Sequence, residues 1–173
     1  FNGDNTIASQ ASLVKFQAPG SKYQGKPGFY ALVIGVSDYR GEDLDLRFAA
    51  KDAQNFAETL RLASDAPLFS SSTIEVLSSI EGHTPPTKEN ILAAFERLKN
   101  TQPQDVLVVF MAGHGVKGIR EEEGYLYVTQ EANSFRSTKD PNTQKQVTLS
   151  SKELHHLLKQ IPANKQVMIL DTC

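Results

Sequence analysis

The sequence predicts an α/β protein built on a largely parallel sheet, and three observations carry that prediction. Four strand-like runs stand at 29–36, 73–79, 105–112 and 166–172. Amphipathic helical stretches fall between them, at 43–62, 87–100 and 150–161. Strands that alternate with helices of this length need crossover connections, which make neighbouring strands parallel.

Each element follows from its residues. Residues 1–28 are polar and hold Gly3, Pro19, Gly20, Gly25, Pro27 and Gly28, which reads as an N-terminal arm or linker before a folded domain over 29–173. "FYALVIGV" is continuously apolar, as a strand covered on both faces should be. In "DLDLRFAAKDAQNFAETLRL", Leu46, Ala49, Ala53, Phe56, Ala57 and Leu60 recur at helical spacing, with Asp43 as the expected N-cap. "APLFSSS" is a loop, "TIEVLSS" the second strand and "EGHTPP" a turn. "TKENILAAFERLKN" places Ile91, Phe95 and Leu98 on one helix face. "DVLVVFMA" is the third strand, and "GYLYVT" (124–129) a further short strand or hairpin arm. "EANSFRSTKDPNTQKQV" (131–147) reads as a long polar loop. "SSKELHHLLKQI" is a helix capped by Ser150 or Ser151, and "QVMILDT" the fourth long strand.

Composition narrows the function. The chain has 173 residues, one domain's worth, with 39% hydrophobic and 22% charged residues, ordinary for a globular protein. A net charge of -2 gives no electrostatic footprint for nucleic acid or an anionic membrane. No apolar run approaches the roughly 18 residues of a membrane span. The single cysteine, Cys173, cannot form an intrachain disulfide, which fits a reducing, cytoplasmic setting. The chain begins with Phe1, so a fragment or processed product is expected.

The chemistry lies where two strands end. Functional groups of open α/β sheets gather beyond the carboxyl ends of the strands. "VVFMAGHG" puts His114 just past one such end, and "MILDTC" puts Cys173 at another. If those strands are adjacent, parallel and in register, thiol and imidazole share one edge of the sheet. A free cysteine titrates near pKa 8.5, so a neighbouring histidine must take its proton and later protonate the leaving amine. The tetrahedral oxyanion needs donors. Gly115 offers a backbone N–H with no side chain in the way, and the Cys173 N–H is the second donor. A lone cysteine in a strand is ordinarily a small core residue; its pairing with a glycine-flanked histidine argues for catalysis. His83 lies in a turn before Pro85-Pro86, and His155 and His156 lie mid-helix, so they read as structural. No cluster has metal-ligand spacing, and no zinc is expected.

Four stretches, "YALVIGVSDY", "LRFAAKDAQNFAETL", "DVLVVFMAGHG" and "VMILDTC", together resemble the caspase-like cysteine peptidases of the caspase–hemoglobinase clan, most of all the metacaspase and orthocaspase branch. They run in the family's order across about 29–173. The resemblance implies an α/β/α sandwich with about six mostly parallel strands and helices on both faces. It implies a Cys173–His114 dyad that hydrolyses peptide bonds through a thioester acyl-enzyme. It also implies that this is the large catalytic portion, ending at the nucleophile and pairing with a small C-terminal fragment of the same precursor.

The resemblance also bears on specificity. Asp52 and Asp171 match the two positions where metacaspase-type enzymes carry acidic residues in the primary pocket. Residues two apart in a strand share a face, so Asp171 can sit beside Cys173. Two carboxylates in a desolvated pocket call for a cation, and the arginine fork suits them best. The expected substrate is therefore a polypeptide cut after Arg, less well after Lys. An aspartate-specific caspase-type pocket would need basic residues, of which Arg47 is the one nearby. Asp52 also has a plain reading as a helix-surface charge. Asp171, expected at a buried strand end, is harder to explain structurally, because an unpaired buried carboxylate is costly.

Ala112 stands where such pockets commonly have Ser, and Ala49 where they often have Cys, so the pocket keeps its charge and loses two polar wall groups. Some metacaspases need calcium. Glu121, Glu122, Glu123 and Asp140 supply oxygen atoms here without a recognisable loop signature, so no cofactor is expected. Arg136, Lys139 and Lys145 make the segment 130–147 a candidate for self-cleavage. Two other classes compete. A catalytically silent caspase-like interaction scaffold would have no need of the dyad and both aspartates. A nucleotide-binding domain would need a phosphate loop, and "GVSDYRGEDLDLRFAAKDA" has neither GxGxxG nor a Walker lysine.

Overall fold

The computed structural model describes residues 25–65, 67–119 and 123–172; most of the N-terminal arm, Glu121, Glu122 and Cys173 lie outside them. The chain forms β1 (Gly28–Gly35), α1 (Ala49–Ser64), β2 (Ser71–Ser78), α2 (Lys88–Leu98), β3 (Val106–Gly113), β4 (Gly115–Lys117), β5 (Tyr125–Val128), α3 (Pro141–Val147), β6 (Thr148–Ser150), α4 (Ser151–Lys159) and β7 (Lys165–Thr172). Two sheets result. The main one is wholly parallel, in the order β2-β1-β3-β7, and the second is antiparallel, in the order β4-β5-β6.

Period-two alternation distributes the core of the main sheet. Phe29, Ala31, Val33, Phe110 and Ala112 point to one face and pack under α1. Leu32, Ile34, Leu107, Val109 and Met111 point to the other, against residues of α2 and α4 such as Ile91, Phe95, Leu154 and Leu157. This is the mostly parallel sheet with helices on both faces that the sequence predicts. Among the described residues the main sheet has four strands, short of the six implied by the resemblance. Where β1 ends, a Cβ on Gly35 would lie 2.7 Å from the Ala49 carbonyl oxygen and 2.8 Å from Ala50 Cα. Glycine there lets the first turn of α1 press onto the carboxyl end of the sheet.

Three expectations are corrected. The helix expected from Asp43 begins only at Ala49, and Asp43 caps nothing; residues 42–44 form a single 3-10 turn. Tertiary bonds override the local pattern. Leu44 is buried, Asp45 accepts from the Tyr39 N–H at 2.9 Å, and the Leu46 N–H donates to the Ser37 carbonyl. Ser37 Oγ, from the preceding loop, accepts from the Ala50 N–H at 2.9 Å, a task the sequence suggested for Asp43.

The long polar loop expected over 131–147 is largely structured. Asp140 caps α3, with Pro141 in the first turn, and Thr138, Gln144 and Val147 are buried. Finally, β7 is not buried. Among the described residues it has a ladder neighbour on one side only, and Val167, Ile169 and Leu170 are 52%, 37% and 42% exposed. Asp171 is likewise exposed, so the argument from a buried carboxylate does not hold. Among the described residues no helix is long and apolar enough to cross a membrane.

Candidate active site

The carboxyl ends of β3 and β7 carry the candidate chemistry. Gly113 ends β3 at φ +151°, a region L-residues rarely adopt, and a Cβ there would lie 2.9 Å from Tyr39 Oη and 3.2 Å from Tyr127 Oη. The chain turns at this glycine, and His114 and β4 leave the plane of the main sheet. Bonds on either side fix the turn. Tyr127 Oη–H donates to the Ala112 carbonyl (2.9 Å), the His114 N–H donates to Tyr39 Oη (2.8 Å), and the Val128 N–H donates to the His114 carbonyl (2.9 Å).

The imidazole is oriented as firmly as its backbone. Its Nε2 lies 2.8 Å from the Leu44 carbonyl oxygen. A carbonyl can only accept, so Nε2 carries the proton and the neutral ring keeps its lone pair on Nδ1. The ring lies between Tyr39 and Phe135, at centroid separations of 5.2 and 5.1 Å, the latter edge-on. Burial pushes the hydroxyls of Tyr39, Tyr125 and Tyr127 above the ordinary tyrosine value, and for Tyr39 this outweighs the opposing hydrogen bond from His114. All three therefore stay protonated near neutral pH.

Cys173 lies outside the described residues, but its approach does not. β3 and β7 are adjacent, parallel and in register, with Ala112 beside Asp171 and Gly113 beside Thr172. The residues that precede the two candidate dyad members are thus cross-strand neighbours. Gly115 sits under the Tyr125 ring, and a Cβ on it would overlap that ring and come within 3.0 Å of Thr172 Oγ1. Tyr125 Oη is itself 2.8 Å from Thr172 Oγ1. Gly115, Val116, Lys117, Gly124 and Tyr125 line a shallow, mainly apolar groove of about 320 Å³ beside this point.

The aspartates share an end and a face of the sheet. Gly35, Ala112 and Asp171 form one row across β1, β3 and β7, and Ala53 and Ala112 belong to the core under α1. Asp52 stands in the first turn of α1 next to Ala53, over that row. Both carboxylates are exposed, so among the described residues they form no desolvated pocket. Arg47 is exposed just ahead of the helix. The described residues hold no cluster of three or more His, Cys, Asp or Glu able to bind a metal.

Five contributors carried no assignment from the sequence. The Leu44 carbonyl is a backbone group and leaves no residue-type signal. Tyr39 and Phe135 come from loops whose path only tertiary contacts decide. Tyr125 and Tyr127, by contrast, are two apart in "GYLYVT", so their common face was available from strand periodicity.

Comparison with known proteins agrees with this architecture. Among solved structures, protein GSU0716 from Geobacter sulfurreducens is similar at a TM-score of 0.59 and 16% identity, covering 85% of this chain and 51% of that one. The likeness is one of fold, and the chain spans about half the length of that structure. No curated protein matches. The family model described as "Caspase domain" matches residues 29–173, from the first strand through Cys173, and the chain therefore belongs to the caspase-domain family of peptidases.

Proposed function

We propose that the protein is a cysteine endopeptidase that cuts after Arg, and less well after Lys, with Cys173 as nucleophile and His114 as base. The observation that carries the reading is the in-register pairing of Gly113 with Thr172, together with the Nε2–H bond from His114 to the Leu44 carbonyl. The first supports a thiol close to the imidazole, and the second supports Nδ1 as the atom that receives the thiol proton.

The thiolate attacks the scissile carbonyl carbon, and the N–H groups of Gly115 and Cys173 receive the charge on its oxygen. The tetrahedral adduct collapses to a thioester as His114 gives its proton to the leaving amine. Water, deprotonated by His114, then attacks the thioester, and thiol and carboxylate products separate. No Lewis acid enters these steps. Asp52 and Asp171, on one face and at one end of the sheet, favour a cationic side chain before the cut. Their exposure is compatible with this if a further segment closes the pocket. Val167, Ile169 and Leu170 on β7, whose outer edge is unpaired among the described residues, favour such a covering, for which the small C-terminal fragment is the proposed partner. Self-cleavage within 130–147 has exposed basic side chains available at Arg136, Lys139 and Lys145. The N–H groups of Lys139 and Asp140 bond to the Arg136 carbonyl, so this turn must open first.

The test is hydrolysis of peptide amides ending in Arg, Lys or Asp by the full-length protein, with and without calcium, beside Cys173→Ala. The expected result is calcium-independent cleavage in the order Arg, Lys, Asp, lost in Cys173→Ala. Preference for Asp would remove the assigned role of the two aspartates, and activity surviving in Cys173→Ala would remove the dyad.

A further inference from the structure

Among the described residues the ladder between β3 and β7 runs as far as the pair Gly113–Thr172, and at Gly113 the chain turns away from the main sheet. β7 has no strand on its other side among the described residues. The two proposed oxyanion donors adjoin strands of different sheets: Gly115 begins β4, and Cys173 is next in sequence after β7. Catalysis by two such donors depends on their separation.

One side chain spans the gap. Tyr125, on β5, lays its ring against Gly115 and brings its hydroxyl to 2.8 Å from Thr172 Oγ1. Thr172 makes no other side-chain hydrogen bond among the described residues. β5 is anchored in turn by Tyr127, fully buried two residues on, whose hydroxyl holds the Ala112 carbonyl. Tyr125 is only half-buried, so core packing alone does not account for its place.

We infer that Tyr125 is a positioning residue that sets the spacing of the two oxyanion donors by holding Gly115 under its ring and Thr172 on its hydroxyl. The inference rests on the peptidase reading above. It predicts a defect in the transition state rather than in substrate binding, because the spacing matters only once charge has moved onto the carbonyl oxygen.

The experiment uses the full-length protein and the variants Tyr125→Phe, Thr172→Val, Thr172→Ser and the double Tyr125→Phe/Thr172→Val. Tyr125→Phe keeps the ring and loses the hydroxyl. The expected result is a fall of about tenfold in kcat with KM within about twofold, the scale of a small misplacement of catalytic groups. Affinity for an arginine peptide aldehyde, whose adduct with the thiol mimics the tetrahedral state, falls by the same factor. Thr172→Val matches this loss, Thr172→Ser recovers most of it, and the double variant is no worse than either single one. A kcat for Tyr125→Phe within twofold of the parent, a loss borne by KM or by the melting temperature, or multiplying defects in the double variant each overturn the inference while leaving the peptidase reading intact. A parent protein inactive on arginine substrates overturns both.

Discussion

The strands β3 and β7 look alike as sequence and differ as structure. "VLVVFMAG" and "KQVMILDT" are both apolar runs that end beside a candidate dyad residue. Six of the eight residues of β3 are buried, flanked by β1 and β7 and covered by helices, whereas β7 is half-buried or exposed along its whole length. The histidine therefore follows a strand locked from four sides, and among the described residues the strand leading to the cysteine is locked from one. Among the described residues, packing and backbone bonds hold His114, whereas one ladder and one tyrosine hold Thr172, the residue before Cys173.

The comparison breaks most severely at Gly113. Gly113→Ala forces a side chain into φ +151° and against two tyrosine hydroxyls. The conformational strain alone is about 1–3 kcal/mol, and the turn that aims His114 must shift. The expected outcome is a loss of about a hundredfold or more in turnover of an arginine peptide, with a lowered urea midpoint. Near-parental turnover would mean that the turn does not aim the histidine.

A second measurement compares two residues paired across the strands. Met111 is fully buried and its register partner Leu170 is 42% exposed. Met111→Ala should cost about 2–4 kcal/mol in urea unfolding of this chain, and Leu170→Ala less than about 1 kcal/mol. Adding the proposed C-terminal fragment should raise the second figure toward the first and leave the first unchanged. If the cost at Leu170 stays low with the fragment bound, that fragment does not cover this face of β7.

The same contrast marks how far the sequence could be read. Apolar runs, helical spacing and the terminal placement of His114 and Cys173 are local signals, and they led to the parallel sheet and the shared edge. Whether an apolar strand is interior or edge depends on its neighbours, and so β7 and Asp171 were expected to be buried. The helix start at Asp43 failed for a related reason: the capping pattern was present, but bonds from Leu46 to Ser37 and from Tyr39 to Asp45 committed the segment to a turn. In 131–147 the polar composition concealed a legible signal, Asp140-Pro141, which is a cap followed by a first-turn proline. The Leu44 carbonyl that orients the imidazole had no signal, since any residue supplies a carbonyl and only the fold brings this one to the ring.

The smallest expected effect lies away from the dyad and serves as the control for both strands. Lys88 Nζ donates to the carbonyls of Lys145 and Thr148 and to Glu153 Oε1 at 2.8 Å, while Glu153 also closes the capping box of α4 with Ser150. This joins α2, β6 and α4 without touching His114. Burial alone would raise the Glu153 carboxyl, but the bonds from Lys88 and Ser150 outweigh it and hold the group below its ordinary value of 4.5. A carboxyl depressed in the folded state stabilises above its unfolded pKa, and that contribution is lost as pH falls through the folded value. Glu153→Gln should therefore cost about 1 kcal/mol or less at pH 7, a limit set by the solvent screening of a half-exposed pair. The gap to the parent should close below pH 4.5, with kcat unaltered throughout. A cost that persists undiminished at pH 3 would trace the effect to lost packing of the side chain rather than to its charge. A fall in kcat at pH 7 would show that β6 and β5 transmit strain to Tyr125, and the separation drawn here between scaffold and site would have to be abandoned.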